Sequence, residues 1–397
     1  MKNSYDIAII GGGASGLAAA VTAGRRPGLS VAVFEKKETA GKKLSATGNG
    51  RCNLSNIRCD NFEEVMDFFG STGIAVRRDE EGRLYPYGEE AGEVTALLTS
   101  RALSYGVDFL LNSEIIGMEA EPRGGFLLFV GAEKREVHAR AVLIAAGGKS
   151  YASMGTTGDG YVMARKLGHN VTSLVPALTG VEVCEDISNL KGVRTKAEAS
   201  LYKDGQMIFS ERGEVQFRAD SLSGICIMNM SRHIRRGAEY EIALNLTADL
   251  MTEELENILT VKLTAEGMEA ADCLRTLVKG PMALRALSQA GIDPEEPGTS
   301  VVNDAVRFVR LKKAISDMRF TVSGLKGWNE AQVTSGGVPV DEVDGLTMES
   351  KLVPGLFFSG EVLDYDGPCG GYNLHHAWLT GIRAGKGMAD RCTESIR

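Results

Sequence analysis

The chain has 397 residues, 43% of them hydrophobic and 24% charged, with a formal net charge of −8. That length calls for two or three cores rather than one, and the composition is that of a globular chain, neither disordered nor collagen-like. The acidic balance and the lack of a Lys/Arg-rich block give no electrostatic footprint for nucleic acid, and the acidity itself reads as a solubility feature.

Residues 5–10 (YDIAII) predict a short buried strand. Gly11-Gly12-Gly13-Ala14-Ser15-Gly16 follows at once, then an apolar helix over 17–23, a second apolar strand over 31–34, and Glu35. Strand, glycine turn, helix, strand and acid in this order make a dinucleotide fingerprint. Gly11 makes the tight turn, Gly13 lets a pyrophosphate approach the backbone, and Gly16 lets the helix sit close to the strand. The helix start offers N–H groups and partial positive charge to phosphates, and Glu35 can accept a hydrogen bond from a ribose hydroxyl.

Further on, Val94, Leu97, Leu98 and Leu103 predict an amphipathic helix over 93–105. Strands are predicted over 107–111 and 113–118, and a hairpin with arms 126–130 and 135–138 around Gly131-Ala132. The run 141–146 (AVLIAA) ends in Gly147-Gly148. It reads as a central parallel strand whose carboxyl end stops beside a cofactor, with an ordinary strand-ending turn as the alternative. A helix follows over 158–168, opened by Thr156-Thr157-Gly158-Asp159. Composition shifts near Pro176 to an alternating pattern, with strands over 196–202, 206–210 and 239–246. From Thr247 the pattern is helical: 255–262 behind a Thr252-Glu253-Glu254 opening, then 269–277, 281–290, and a helix opened by Asn303-Asp304-Ala305 and running to Ser316. Strands return over 318–322, 330–334 and 355–359. A glycine-rich loop then runs from Asp364 to Tyr372 and feeds a last helix over about 373–389.

The seven cysteines form no CxxC pair, so neither a disulfide framework nor a zinc ribbon is expected. Reduced thiols fit a cytoplasmic location. The five histidines make no ligand set, so no metal is expected. His375 and His376 point about 100° apart on a helix and chelate poorly. The apolar run at the start is interrupted by glycines, which argues against a signal peptide or membrane span.

Four stretches are specific enough to carry a family resemblance: 9–20 (IIGGGASGLAAA), 40–56 (AGKKLSATGNGRCNLSN), 147–169 (GGKSYASMGTTGDGYVMARKLGH), and 333–344 with 348–385. Together they resemble BaiN / aminoacetone-oxidase-like FAD-dependent flavoproteins, within the glutathione-reductase type of FAD-binding fold. Over 213–228 (GEVQFRADSLSGICIM) the chain departs from the family pattern. Arg218-Ala219 stand where the family carries Thr-His, and Ile225 where it carries proline.

The resemblance implies an α/β fold in which a Rossmann-like FAD-binding domain (1–176 and 331–397) is built from both chain ends. It implies an inserted β-barrel-like domain (177–247 and 317–330) that itself carries a helical cap (248–316). It places Gly11, Gly13, Ala14, Ser15 and Gly16 at the FAD pyrophosphate and Glu35 at the adenosine ribose. Lys36, Lys42 and Lys43 would neutralise phosphate or ring charge, or lie on the surface. The stretch Thr47, Gly48, Arg51, Asn53 would pass along the isoalloxazine, with Ala146, Gly147 and Gly148 at the strand end. Gly360, Glu361 and Asp364 would cover the ribityl chain, and Gly371, Tyr372 and Asn373 would set a helix start against the ring. Arg51, Asn53 and Tyr372 are the candidates for touching substrate, and Cys369 could line the site.

Cys52 and Cys59 have the wrong spacing for a redox pair, so Cys52 reads as a small buried residue. His375 and His376 read as packing before acid catalysis, and Trp378 as core. Arg218 selects an anionic substrate group or is simply solvated.

The expected function is FAD-dependent hydride transfer between flavin N5 and a small organic substrate. The favoured form is an NAD(P)H-driven reductase of a conjugated C=C bond in a bile-acid or steroid-like enone, because the insert is apolar enough to cover a large ligand. With a single dinucleotide fingerprint, NAD(P)H would bind only transiently. The alternatives are an aminoacetone-type flavin amine oxidase using O2, and a non-catalytic redox-sensing or RNA-binding flavoprotein. A small-molecule partner is expected, with no membrane and no nucleic acid; the oligomeric state is left open.

Overall fold

The apolar runs of the two chain ends assemble into the parallel part of a seven-stranded mixed sheet, whose remaining strands, Phe126–Val130 and Ile115–Ala120, are antiparallel. The order of the parallel part is Asp108–Leu110, Val31–Phe34, Ser4–Ile10, Arg135–Ile144, Leu356–Phe358. A parallel sheet covered on both faces needs near-continuous apolar strands. Here Ile7, Ile9, Val33, Leu143, Ile144 and Phe357 are fully buried. The computed structural model describes residues 2–394. These form two units, one running up to Pro176 and resuming at Ala331, the other Ala177–Glu330.

In the first unit the helix Ala14–Gly24 lies on the sheet, and the last helix, Tyr372–Glu394, crosses it. Both approaches depend on missing side chains. A Cβ on Gly16 would sit 1.9 Å from the Gly11 carbonyl oxygen, and one on Gly381 would sit 2.3 Å from that of Ser15. The two ends of the chain are thereby packed backbone to backbone.

Three local expectations need correction. The segments 135–138 and 141–146 are one strand, Arg135–Ile144. Its first half pairs antiparallel with Phe126–Val130 and its second half runs parallel to Leu356–Phe358. The exposed His138 and half-buried Arg140 look like a break in the pattern, but the ladder to Ser4–Ile10 runs straight through them. Near residue 330 only Val333–Ser335 is strand; Glu330 lies in a turn, its N–H donating to the Gly327 carbonyl. Between 55 and 86, where no element was expected, lie the helix Phe62–Thr72 and a small sheet of Ser55–Asn56, Arg83–Pro86 and Val76–Arg78. That helix buries Val65, Phe68, Phe69 and Thr72, a stripe at helical spacing.

The second unit is a closed antiparallel barrel in the order Val181–Val183, Ser221–Ser223, Gln206–Phe217, Arg194–Lys203, Tyr240–Asn245, Met318–Leu325. Closure leaves no free sheet edge. Between its last two strands the chain makes the helices Thr252–Leu263, Ala270–Cys273, Gly280–Ala290, Gly298–Val302 and Ala305–Ser316. Asp304 caps the last of these, accepting from the N–H groups of Val306 (3.0 Å) and Arg307 (3.2 Å). The helix expected over 269–277 stops at Cys273, and Thr276 turns left-handed at φ 68°. The expected strand over 206–210 extends to Phe217, and Ile225–Ser231 is an unexpected helix. Leu259, Met282 and Leu311 of the helices share one core with Leu201, Phe217 and Phe320 of the barrel.

Candidate active site

The parallel strands end on a common edge, where an open α/β sheet places its ligands. Gly11 follows Ser4–Ile10, Glu35 follows Val31–Phe34, Ala146 lies just beyond Arg135–Ile144, and Gly360 just beyond Leu356–Phe358. Main-chain bonds tie these ends together. Gly11 N–H donates to Phe34 O (2.8 Å), Ala145 N–H to Ile10 O (2.9 Å) and Ser359 N–H to Ile144 O (3.2 Å).

At the first helix start, a Cβ on Gly13 would meet nothing within 4 Å. The first helical bond is Leu17 N–H to Gly13 O (2.8 Å), and among the described residues no group accepts the N–H of Ala14, Ser15 or Gly16. This is a bare backbone cradle with partial positive charge, suited to a pyrophosphate. The Ser15 hydroxyl turns away, toward the Ser359 carbonyl (3.4 Å), so only its N–H faces the cradle. Glu35 is already aimed: its Oε2 accepts from Gly12 N–H (2.9 Å) and its Oε1 from Lys37 N–H (2.8 Å). The lone pairs left over suit a vicinal diol.

The lysines divide. Lys42 spans one turn to Glu38 (2.7 Å) and stays on the surface. Lys36 pairs with Asp159 and donates to Thr157 Oγ1 (2.6 Å). Lys43 is half-buried, donating to Ser150 Oγ (2.8 Å) and Glu361 Oε2 (2.7 Å). Glu361 also takes Thr334 N–H (2.8 Å) and Ser150 O–H (3.1 Å) on Oε1. Its carboxylate is thus a hub that joins four segments of the first unit, and it is spent inside the protein. Gly148 backs onto this hub, since a Cβ there would lie 2.4 Å from Glu361 Oε1. Gly147 turns left-handed at φ 72°. Gly360 N–H donates to Thr380 Oγ1 (2.9 Å), and Asp364 accepts from Thr172 Oγ1 (2.8 Å). Ser150 and Thr334 carry no signal in the sequence, because only the fold brings them to Glu361.

The loop from Thr47 to Asn53 is tightly coiled, left-handed at Gly48, Asn49, Gly50 and Cys52. Thr47 O–H closes onto Leu44 O (2.7 Å). Positive φ on Asn49 and Cys52 costs on the order of 1 kcal/mol each, strain of the kind found at functional sites. Cys52 is fully buried, and burial pushes its thiol up to about 11, so it stays protonated. Arg51 is exposed, its guanidinium 5.2 Å from the centre of the Tyr85 ring. Asn53 is spent on the fold: with its amide oriented to satisfy both neighbours, it donates to Ser55 O (3.0 Å) and accepts from Gly371 N–H (3.1 Å).

Asn53 is one of several ties between this loop and the start of Tyr372–Glu394. Asn56 donates to Gly370 O (3.1 Å), and Trp378 Nε1–H to Leu54 O (3.0 Å). His375 Nε2–H must donate to Asp60 O (2.8 Å), a carbonyl, so Nδ1 accepts from Ser55 O–H (2.8 Å). This holds the ring neutral, and burial lowers its pKa. His376 stacks on Tyr365 at 4.0 Å; burial first, then His375, pushes it down to about 4. Asn373 closes the preceding loop by accepting from Gly367 N–H (2.8 Å) and donating to Gly367 O (2.8 Å). Of the three candidates for touching substrate, Asn53 is therefore committed, while Arg51 and the Tyr372 hydroxyl have no hydrogen-bond partner among the described residues.

The bare cradle at Gly13, the aimed Glu35 and a second helix start at Tyr372 fit FAD, and the sheet that carries them defines an FAD-dependent oxidoreductase. The family model for the HI0933-like protein Rossmann domain matches residues 5–66 and 60–387. The chain belongs to this family. It is 32% identical to the 3-dehydro-bile acid delta(4,6)-reductase of Clostridium scindens, over 97% of this chain and 99% of that protein. It is 28% identical to the ribosomal RNA dihydrouridine synthase of Escherichia coli, over 94% and 95% respectively. Among solved structures, it shares its fold with the 3-ketosteroid delta1-dehydrogenase of Sterolibacterium denitrificans, with a TM-score of 0.53 at 12% identity, covering 98% of this chain and 100% of that one. Among the described residues no helix is long and apolar enough to cross a membrane, and no group of three His, Cys, Asp or Glu could hold a metal.

Arg218 pairs with Glu330 at 2.7 Å on the exposed surface of the second unit, a half-exposed ion pair that any anionic substrate group would have to compete with.

Proposed function

We propose that this chain is an NAD(P)H-driven reductase that saturates a C=C bond conjugated with a carbonyl, acting on a steroid-like enone. The observation that carries this reading is the 32% identity, over nearly the whole of both chains, to a 3-dehydro-bile acid reductase. When bound, FAD supplies two-electron hydride chemistry. In this reading residues 1–176 and 331–397 hold it. The N–H groups of Ala14, Ser15 and Gly16 would bind its pyrophosphate beside Gly13, and Glu35 its adenosine ribose. Ala146, Gly147 and Gly360 would line it with backbone, and Asp364 keeps one carboxylate oxygen for a ribityl hydroxyl. Arg51 and the helix start at Tyr372 would favour negative charge on the ring. Glu361 and Lys43 would act behind this surface, by fixing Gly148. The barrel, 177–247 and 317–330, with the helices of 248–316 would receive the organic substrate and exclude water from it. The chain carries one dinucleotide fingerprint, so the nicotinamide donor would come and go without a Rossmann domain of its own.

Anaerobic mixing of the FAD-loaded protein with NADH or NADPH tests this reading. The flavin absorbance should bleach, and a 3-oxo-4,6-diene bile acid should restore it. Absorbance that persists with both nucleotides rejects the reductase and leaves an amine oxidase that uses O2 or a non-catalytic redox-sensing flavoprotein.

A second reading, saturation of a uridine in ribosomal RNA, has the 28% identity in its favour and the net charge of −8 against it. Restoration of absorbance by a ribosomal RNA fragment, and not by the diene, would select it.

A further inference from the structure

The second unit contains a cleft of about 810 Å³ between the barrel strand Arg194–Lys203 and the helices that follow Thr252–Leu263. Ligand sites commonly occupy roughly 300–1,000 Å³. Its lining is mixed, and the apolar part is supplied by Leu246, Leu277 and Val278, which are half-buried, and Leu284, which is 46% exposed.

Its rim is basic. Lys196 comes from the barrel and Lys279 from the turn before Gly280–Ala290. Neither ammonium has a carboxylate or hydrogen-bond partner among the described residues. The acids nearby are already engaged. Asp272, in the cleft, holds Arg275 at 2.7 Å. Glu214, opposite Lys196 in the barrel register, faces Arg194 at 3.7 Å, and Glu198, two residues along, faces Arg212 at 3.8 Å. The wall that carries Arg275 and Thr276 is pinned from behind by Lys262, which donates to Arg275 O (2.8 Å) and Thr276 Oγ1 (3.2 Å). Apolar side chains beside two unpaired cations, in a chain of net charge −8, complement a ligand that is hydrocarbon on one side and anionic on the other.

We propose that this cleft binds an organic anion with a rigid apolar body of steroid size, Lys196 and Lys279 meeting its carboxylate or sulfonate and Leu246, Leu277 and Leu284 its hydrocarbon. The size of that body rests on the enone reading above; the cleft and its charge do not.

Cholate and its methyl ester, added to the full-length FAD-loaded protein and followed by calorimetry and hydrogen exchange, test the proposal. Cholate should bind saturably, bind more weakly as salt is raised, and slow exchange over residues 275–284. Reversing both charges (K196E with K279E) should weaken cholate binding about tenfold or more and leave the methyl ester within about twofold, as expected for two partly exposed ion pairs. Leu284→Glu, at an exposed position the fold can tolerate, should weaken both ligands. No saturable cholate binding, or binding indifferent to the charge reversal, overturns the proposal. So does a uridine-rich RNA of about twelve nucleotides that outcompetes cholate and protects the same segment, since multiple phosphate contacts would then be the cleft's purpose. Diene turnover is measured in parallel. Lost cholate binding with turnover intact defeats the cleft alone; absent turnover with cholate binding intact defeats the enone reading alone.

Discussion

Two helix starts in the first unit, at Ala14 and at Tyr372, are built in opposite ways. The start at Ala14 is bare: Gly13 leaves open space, and the N–H groups of Ala14, Ser15 and Gly16 have no partner among the described residues. The start at Tyr372 is laced to its surroundings through Asn53, Asn56, His375, Trp378 and Asn373. A bare start suits a group that carries its own negative charge. A laced start is held in shape by the protein, so that its dipole faces one fixed place. Substitutions at the first should therefore change affinity, and substitutions at the second should change order and stability.

The sharpest break in that comparison is Gly13→Val. Its Cβ would enter the cradle without meeting a protein atom, so FAD retention should be lost while the unfolding of the apoprotein shifts by only about 1 kcal/mol, the cost of a poorer helix cap. Retained FAD, read from the absorbance of desalted protein, would refute the cradle. Trp378→Ala is the opposite case. It opens a cavity in a site with no exposure and orphans the Leu54 carbonyl, and should cost about 3–5 kcal/mol in urea unfolding, with or without FAD. A loss confined to the FAD-bound form would mean that the laced start is not structural.

Glu35→Ala should weaken FAD binding by about 1–3 kcal/mol, because it removes a charged acceptor and frees the Gly12 and Lys37 N–H groups that aim it. Titration of apoprotein with FAD measures this.

The laced start should also be acid-sensitive. His375 and His376 have pKa values depressed by burial, so the unfolded chain binds protons more readily than the folded one. Their contribution is complete above the ordinary histidine range and is lost as pH falls from about 6.5 toward 4, the folded value of His376. Unfolding free energy should drop across that window, and less steeply in His376→Gln; an unchanged slope would remove His376 from the account. The smallest effect belongs to Lys42→Ala, which breaks only an exposed one-turn pair with Glu38. It should change neither FAD content nor stability by more than about 0.5 kcal/mol, whereas a measurable loss of FAD would return Lys42 to the cofactor.

How much of this was legible differs residue by residue. The α/β class, the glycine turn at 11–16 between strand and helix, and the acid that closes the next strand could be read directly, because such a turn is made by backbone within one strand–helix–strand unit and needs glycines at fixed offsets. The cap at Asp304 was legible for the same reason, since its partners lie two and three residues on. The helix Phe62–Thr72 has a readable stripe but sits among short strands too brief to show a period. The strand Arg135–Ile144 was cut in two because polar side chains at its middle hid a ladder set by a distant partner.

Glu361 marks the limit. Its sequence neighbours suggest a cofactor contact, yet its carboxylate is spent on Lys43, Ser150 and Thr334. Arg218 was likewise offered to substrate and is held by Glu330. Local sequence determined where the backbone must turn, where a helix must begin and where side chains must be absent, because those demands are met within a few residues. Which charged side chains remain free for a ligand was decided by tertiary structure alone: a buried or half-buried charge takes its partner from whichever segment the fold brings within about 3 Å, and that segment has no fixed distance along the chain.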